Sequence, residues 1–395
     1  MSTTVTDAAP IRAVTRGPRH HFFGYYDKPP WDGTGRYLLA LETAFMDRPP
    51  TPADAATIGL VDTEQGDVFT PLTTTRAWNW QQGCMLHWLP TAPDREIIFN
   101  DREENRFVAV IVNVQTGARR VLPHPIYALS PDGRTAITPN FSRLAVQRPG
   151  YGYAGVPDRW ADVQLPEDDG IYAMNLDTGE SRLLFSIAQI ARAQWHADTM
   201  SGVMHWFNHL QFSPGGQRFC FLHRWRNPAT GTWFTQLWTV NADGSMPRCV
   251  LDDDYVSHFD WYDAGTLVAW GRQHGRGEHY YRIPDRDGSA VTIIGEDVFT
   301  TDGHCSFSPD RRWMLTDTYP DPTHHRTLML YDLAAARRVN IGQFYSPPGV
   351  SGELRCDLHP RWSRDGSQVC IDSTHTGERQ MYVLDVSAIT RPRPA

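Results

Sequence analysis

The sequence contains no run approaching the ~18 apolar residues that a membrane-crossing helix needs. Its first residues, MSTTVTDAAPIRAVTRG, lack the apolar stretch of a secretion signal. Cysteine is sparse: Cys84, Cys220, Cys249, Cys305, Cys356 and Cys370 form neither a metal-type C-x-x-C nor a disulfide-like spacing. A soluble, cytoplasmic protein is expected. Basic residues are outnumbered, 37 Lys and Arg against 45 Asp and Glu, for a net charge of −8. That leaves no field for nucleic acid or an anionic membrane, and neither is expected as a partner. A local cationic site for a small acidic substrate stays open. Also missing are G-x-S-x-G at a strand–helix turn, a phosphate loop and a dinucleotide fingerprint.

What is present is a repeated turn. It appears as WDGTG at 31, TAPD at 91, SPDG at 130, SPGG at 213, YDAG at 262, SPDR at 308 and SRDG at 363. Short apolar strands flank each one, and most units end in a third strand such as IGLVDTEQG or IYAMNLDTG. Short strands, Gly/Asp turns and this period indicate an all-β fold, a seven-bladed β-propeller in one domain spanning 1–395. The blades are expected over 20–75, 82–122, 124–186, 204–251, 255–297, 299–345 and 351–387, with a single helical insert at 186–200. The chain ends too soon after QMYVLDVS for a fourth strand, so the early segment IRAVTRG is expected to close the last blade.

Four residues before each turn the chain gives Asp27, His87, Ile126, His209, His258, His304 and His359. Five of seven are histidine, in a chain with only 16. Strand side chains alternate. Leu210, Phe259, Cys305 and Leu358 should therefore pack between blades while the histidines converge on the central channel. Several imidazoles around one axis need a shared partner, because protonated neighbours repel. A metal ion or an anionic ligand provides one.

Loops after the second strands should surround this ring. The densest reads His223-Arg224-Trp225-Arg226-Asn227, where tryptophan can stack on a sugar and arginine can fork onto a carboxylate. HHFFGYYDKPPW adds Tyr25, Tyr26 and Asp27, and WNWQQGCMLHW adds Trp78, Trp80 and Gln82, an aromatic rim suited to carbohydrate or simply to wedging blades. Glycoside hydrolysis wants a carboxyl pair. Asp27, Asp302 and Asp357 are available, yet no pair stands out. β-Elimination from a uronic acid fits better: a cation neutralises the carboxylate, a base takes the C5 proton and an acid assists the leaving oxygen.

On these residues the chain resembles the seven-bladed polysaccharide and oligosaccharide lyases, above all the oligogalacturonate lyases, with repeats also like those of TolB. The resemblance implies a divalent metal (Mn, Zn or Ca) held by His304 and His359, with Asp357 standing where the family has a histidine. The family's glutamine ligand falls near Leu354, which cannot ligate. It further implies His258 and Arg224 in proton abstraction. The chain is more distantly similar to the ulvan lyases, whose inner-strand tyrosine and arginine fall at Asn208 and Arg224, with His209 beside them as a second base.

The expectation is thus a lyase acting on an acidic oligosaccharide. His258, Arg224 and His209 are its catalytic residues. Asn208, His223, Trp225, Arg226, His87, Tyr26, Asp27 and Gln82 bind substrate, and His304, His359 and Asp357 hold metal. The rivals are a glycoside hydrolase on the same scaffold and a non-catalytic TolB-like binding propeller.

Overall fold

The repeated turns close as their residues dictate. In the computed structural model, which describes residues 4–6, 8–286 and 288–391, the Ser308 hydroxyl donates to Asp310 and that of Ser363 to Asp365, each at 2.6 Å. The last turn residue then adopts a left-handed backbone, which glycine takes without cost: Gly133, Gly216 and Gly366 have φ of 68°, 71° and 72°. In SPDR the same conformation falls on Arg311, at φ 61°.

Each turn joins an inner strand to its antiparallel neighbour. The inner strands are His20–Phe22, His87–Trp88, Ala128–Leu129, His205–Phe212, Val256–Asp263, Ser306–Phe307 and Arg361–Trp362. They begin seven sheets whose strands follow chain order, the seven blades of an all-β propeller. Blade seven is completed from the other end of the chain. Ile11–Ala13 pairs antiparallel with the last strand, Ile11 opposite Leu384 and Ala13 opposite Tyr382. An additional strand, Thr4–Thr6, runs parallel to Arg338–Asn340 on blade six. Three residues carry no periodicity from which it could have been read.

The predicted inter-blade residues Leu210, Phe259, Cys305 and Leu358 are all buried. The expected insert at 186–200 is two helices, Ile187–Ala193 and Ala197–Met200, the first opened by a Ser186/Gln189 capping box. A further helix, Phe141–Gln147, lies within the long connection 139–169 of blade three and corrects the expectation of a single insert. Its seven residues are too few for a visible period. Packing holds it, with Phe141 stacked on Tyr153 at 4.4 Å. The His223–Asn227 stretch also needs correction, because all but its last residue lies in the strand Arg218–Arg226. Trp225 pairs with His205 on one side and Phe234 on the other, as alternating aromatics favour. Among the described residues no helix is long and apolar enough to cross a membrane.

Candidate active site

Blade one's inner strand ends at Phe22, and the chain then leaves its sheet. The Phe23 and Gly24 N–H groups donate to Asp372 of blade seven. The Tyr26 hydroxyl donates to the Phe259 carbonyl of blade five at 2.8 Å, and the Lys28 ammonium lies 5.2 Å over the Tyr127 ring of blade three. The Pro30 carbonyl accepts from the Trp88 indole of blade two at 2.9 Å. A segment that meets so many blades lies on the axis, as a plug. Gly24 permits the departure: its φ is 132°, and a Cβ there would sit 2.8 Å from the Gln82 backbone.

Four histidines gather against this plug. Ring centres of His258 and His304 are 4.0 Å apart, and those of His304 and His359 4.6 Å. Tyr25 bridges the rest, stacked on His209 at 5.1 Å and edge-on to His359 at 5.0 Å. The inner strands bulge here, with His209 at φ 56° and His359 at φ 41°. The bulge turns each imidazole out of the strict alternation of the strand.

Carboxylates aim two of the rings. His304 Nδ1 lies 2.8 Å from Asp317, and His258 Nδ1 2.9 Å from Asp302. Burial works against charging His304, but Asp317, Asp357 and Asp302 outweigh it and raise its pKa. Burial lowers the pKa of His258 despite Asp302, and lowers those of His209 and His359 much further. On its own, burial would raise the Asp357 carboxyl. Arg355 (2.7 Å) and Arg326 (2.9 Å) instead hold it well below the usual carboxylate range.

His304, Asp357 and His359 offer ligand atoms that all lie within 4.8 Å of one another. His304 Nε2 and His359 Nε2 are buried without a hydrogen-bond partner, and Asp357 Oδ1 has the Arg326 ion pair. Two imidazoles and a carboxylate this close, with His304 oriented by Asp317, fit a divalent cation.

Beside the histidines lies Arg224. It donates to Thr235 Oγ1 (3.2 Å) and the Val256 carbonyl (3.1 Å), but to no carboxylate among the described residues. Burial, then the nearby Arg148, push its pKa down to about 10. Arg148 lies 4.5 Å over the Tyr151 ring, and its Nε is buried without a partner. Tyr151 in turn is edge-on to His209 at 5.4 Å, and Tyr319 lies 6.1 Å from His304. No repeat position singles out Arg148, Tyr151, Tyr319, Arg326, Arg355 and Asp317. Arg326 lies near the start of the strand His325–Asp332 and the others lie in loops, with no shared spacing that would mark them.

The structure brings His209, His258, His304, His359, Asp357, Arg224, Tyr26 and Gln82 together. Gln82 reaches the ring directly, its Nε2 3.2 Å from His209 Nδ1. Asn208 precedes the His209 bulge, fully buried, with neither side-chain atom bonded. Several expectations are corrected. His223 is buried between His205 and Gln236, and Trp225 is stacked on Phe234 at 5.7 Å, so neither offers a face to substrate. Both belong to a strand packed on each side. Arg226 lies exposed over Trp233. Of the two readings open for Trp78 and Trp80, wedging between blades is the one their burial bears out.

Asp27 and His87 line the opposite mouth, with the turn residues Ser130 and Ser213. Hairpin geometry explains the slip. In blades four, six and seven the turn's first residue donates to a carbonyl five residues on, as Ser213 does to Arg218 and Ser363 to Gln368. In blade one that donor is Asp32, to Tyr37, and in blade two it is Leu89, to Glu96. Four residues back from Leu89 stands Met85, which shares the left-handed φ, 53°, of His209 and His359, whereas four back from Asp32 stands Lys28 on the plug, at the same mouth as Asp27.

Fold and site together define a class: a seven-bladed propeller with a histidine and carboxylate cluster at one mouth. No family model and no curated protein matches the sequence. Among solved structures, the chain is similar to an oligogalacturonate lyase from Vibrio parahaemolyticus, with TM-score 0.68 and 14% identity over 98% of this chain and 96% of that one. It is similar to an oligogalacturonate lyase in complex with manganese, with TM-score 0.67 and 16% identity over 95% and 93%. The propeller domain of the Trilobed protease from Pyrococcus furiosus matches at TM-score 0.51 and 11% identity over 92% and 96%. At such identities the likeness is one of fold.

Proposed function

We propose that this protein is a carbohydrate lyase that cleaves uronic-acid-containing oligosaccharides by β-elimination at the histidine mouth. The observation that carries the reading is Arg224, a buried guanidinium with no carboxylate partner among the described residues, beside histidines whose pKa burial lowers. A uronate carboxylate would supply the missing charge, with Arg148 as a second contact. Holding that carboxylate acidifies the neighbouring C5 proton.

His258 is the better base of the two expected. Its Nδ1–H is fixed on Asp302, which leaves Nε2 to take the C5 proton. His209 is committed elsewhere: its Nδ1 accepts from the Tyr127 hydroxyl (3.0 Å) and Gln82. Its proton therefore sits on Nε2, 3.5 Å from the Tyr25 oxygen, and Tyr25 is left with its own O–H to donate. In the elimination the C5–H electrons form a C4=C5 double bond, the C4–O bond breaks, and the leaving oxygen takes a proton from Tyr25.

His304, His359 and Asp357 would hold a divalent cation. Two nitrogens and one oxygen suit manganese or zinc better than calcium, which prefers all-oxygen ligation. Such an ion, when bound, adds positive charge for the substrate carboxylate. Hydrolysis is the weaker reading, because Asp302, Asp317 and Asp357 are each committed to a histidine or an arginine.

The test is to incubate the protein with oligogalacturonates and with glucuronate-containing oligosaccharides while following ultraviolet absorbance. A rise from the unsaturated product supports elimination. New reducing ends without that rise indicate hydrolysis, and silence in both assays removes the enzyme reading.

A further inference from the structure

The mouth formed by the turns holds a second chemically rich space, a cavity of about 630 Å³. Lys28 lines it, and Lys28 is the only lysine in the chain, against 36 arginines. Arginine takes every other cationic role, including all of those at the surface. The one compact ammonium is placed inside, 3% exposed, with Asp27 at 2.7 Å. Gln211, Asp260 and Ser306 also line the cavity, with Arg311, Arg361 and Arg364. Gln211 Oε1, Ser306 Oγ and Arg361 Nε are buried and unpartnered, so the wall offers both donors and acceptors that the protein leaves unmet.

Charge selects the ligand. The lining cations are Lys28, Arg311, Arg361 and Arg364. Against them stand Asp27 and Asp260, together with Asp372, which neutralises Arg361 at 2.8 Å. Four minus three leaves one positive charge, matched by a monoanion rather than a phosphate dianion. Trp88, Trp261 and Trp362, each largely buried, border the same wall with their edges and make it partly apolar. We infer that this mouth is a second ligand site, which takes a small organic monocarboxylate of about one ring in size and contacts it through Lys28. The site is separate from the histidine mouth. Tyr25 and Tyr26, with ring centres 4.7 Å apart on the plug, lie between the two.

The lone lysine makes the test direct. Protein grown with [13Cε]lysine carries one labelled side chain, so a single ε-methylene NMR resonance reports on Lys28. The full-length protein is titrated separately with D-glucuronate, D-glucose and inorganic phosphate. The expected result is a saturable shift with glucuronate, with a dissociation constant of about 1 mM or tighter. That shift should persist in Arg224→Ala and in the His304→Ala, His359→Ala double variant, and should weaken about tenfold in Arg311→Ala. No shift with glucuronate means that water alone fills the cavity, which overturns the inference. An equal response to glucose, or tighter binding of phosphate, overturns the assignment to a monocarboxylate. Loss of the shift in Arg224→Ala assigns the ligand to the histidine mouth and overturns the second site while leaving the lyase reading intact.

Discussion

Arg224 carries a charge into the interior with only a hydroxyl and a carbonyl to receive it. A buried cation in that state is costly, and an anionic ligand removes the cost. Arg224→Ala is therefore expected to keep the fold and to lower kcat/KM by 100-fold or more, about 3 kcal/mol. Arg224→Lys should restore little, because an ammonium lacks the planar fork. Steady-state kinetics on a cleaved oligouronate, with thermal melts alongside, check both. The cation cluster makes its own prediction. Elemental analysis should find about one divalent metal per chain in the wild type and little in the His304→Ala, His359→Ala double variant. An unchanged metal content would exclude these residues as its ligands. Asp317, which orients His304, should act through it: Asp317→Ala weakens metal binding about 10–100-fold without touching the ion.

The elements that serve the site depart from the repeat. The plug at 23–30 replaces the lower half of an inner strand, and the 139–169 connection brings Arg148 and Tyr151 over His209. That connection is tied down by buried polar groups. Arg143 donates to the His205 carbonyl and to Asp158, and Asn140 donates to Asp158 and Asp169. Burial, set against the Asn140 bond, raises the Asp169 pKa from 3.8 to about 6. A raised folded-state pKa means that the folded chain binds the proton more tightly than the unfolded one. This group's stabilisation is therefore present at low pH and is lost as pH rises from about 4 to about 6. Asp169→Asn should gain on the wild type across that window, by up to roughly 3 kcal/mol at neutral pH. Paired melts at stepped pH read it, and a difference that stays constant with pH would count against a protonated Asp169.

At the scale of the whole molecule, closure depends on the chain's first residues. Ile11–Ala13 supplies the fourth strand of blade seven, Val14 is fully buried behind it, and its N–H donates to the Met381 carbonyl at 3.0 Å. Removing residues 1–18 opens the ring and strips Val14 from the core, a loss of at least 2–3 kcal/mol from about 25 cal/mol per Å² of apolar burial. The melting temperature should fall by several degrees. A truncated protein that melts with the full chain would show that the ring does not need this strand.

How much of this could be read in advance follows from the range of each interaction. Turn chemistry and period-two patterning are local, acting over four to eight residues, so the seven blades and the missing last strand were legible in the chain. The column of histidines was legible around His209, His304 and His359, in blades whose hairpins share one length, and around His258, whose hairpin is tighter and bulged. In blade two the hairpin opens at Leu89, so the count slips to His87, and in blade one the plug carries Asp27 and Lys28 alike to the opposite mouth. Tertiary structure alone decided what meets on the axis. The bulge at His209, the plug carrying Tyr25 and Lys28, and the arrival of Arg148, Tyr319 and Arg355 depend on contacts between residues far apart in the sequence. Such contacts leave no periodic trace, because only the closed ring holds their partners within reach.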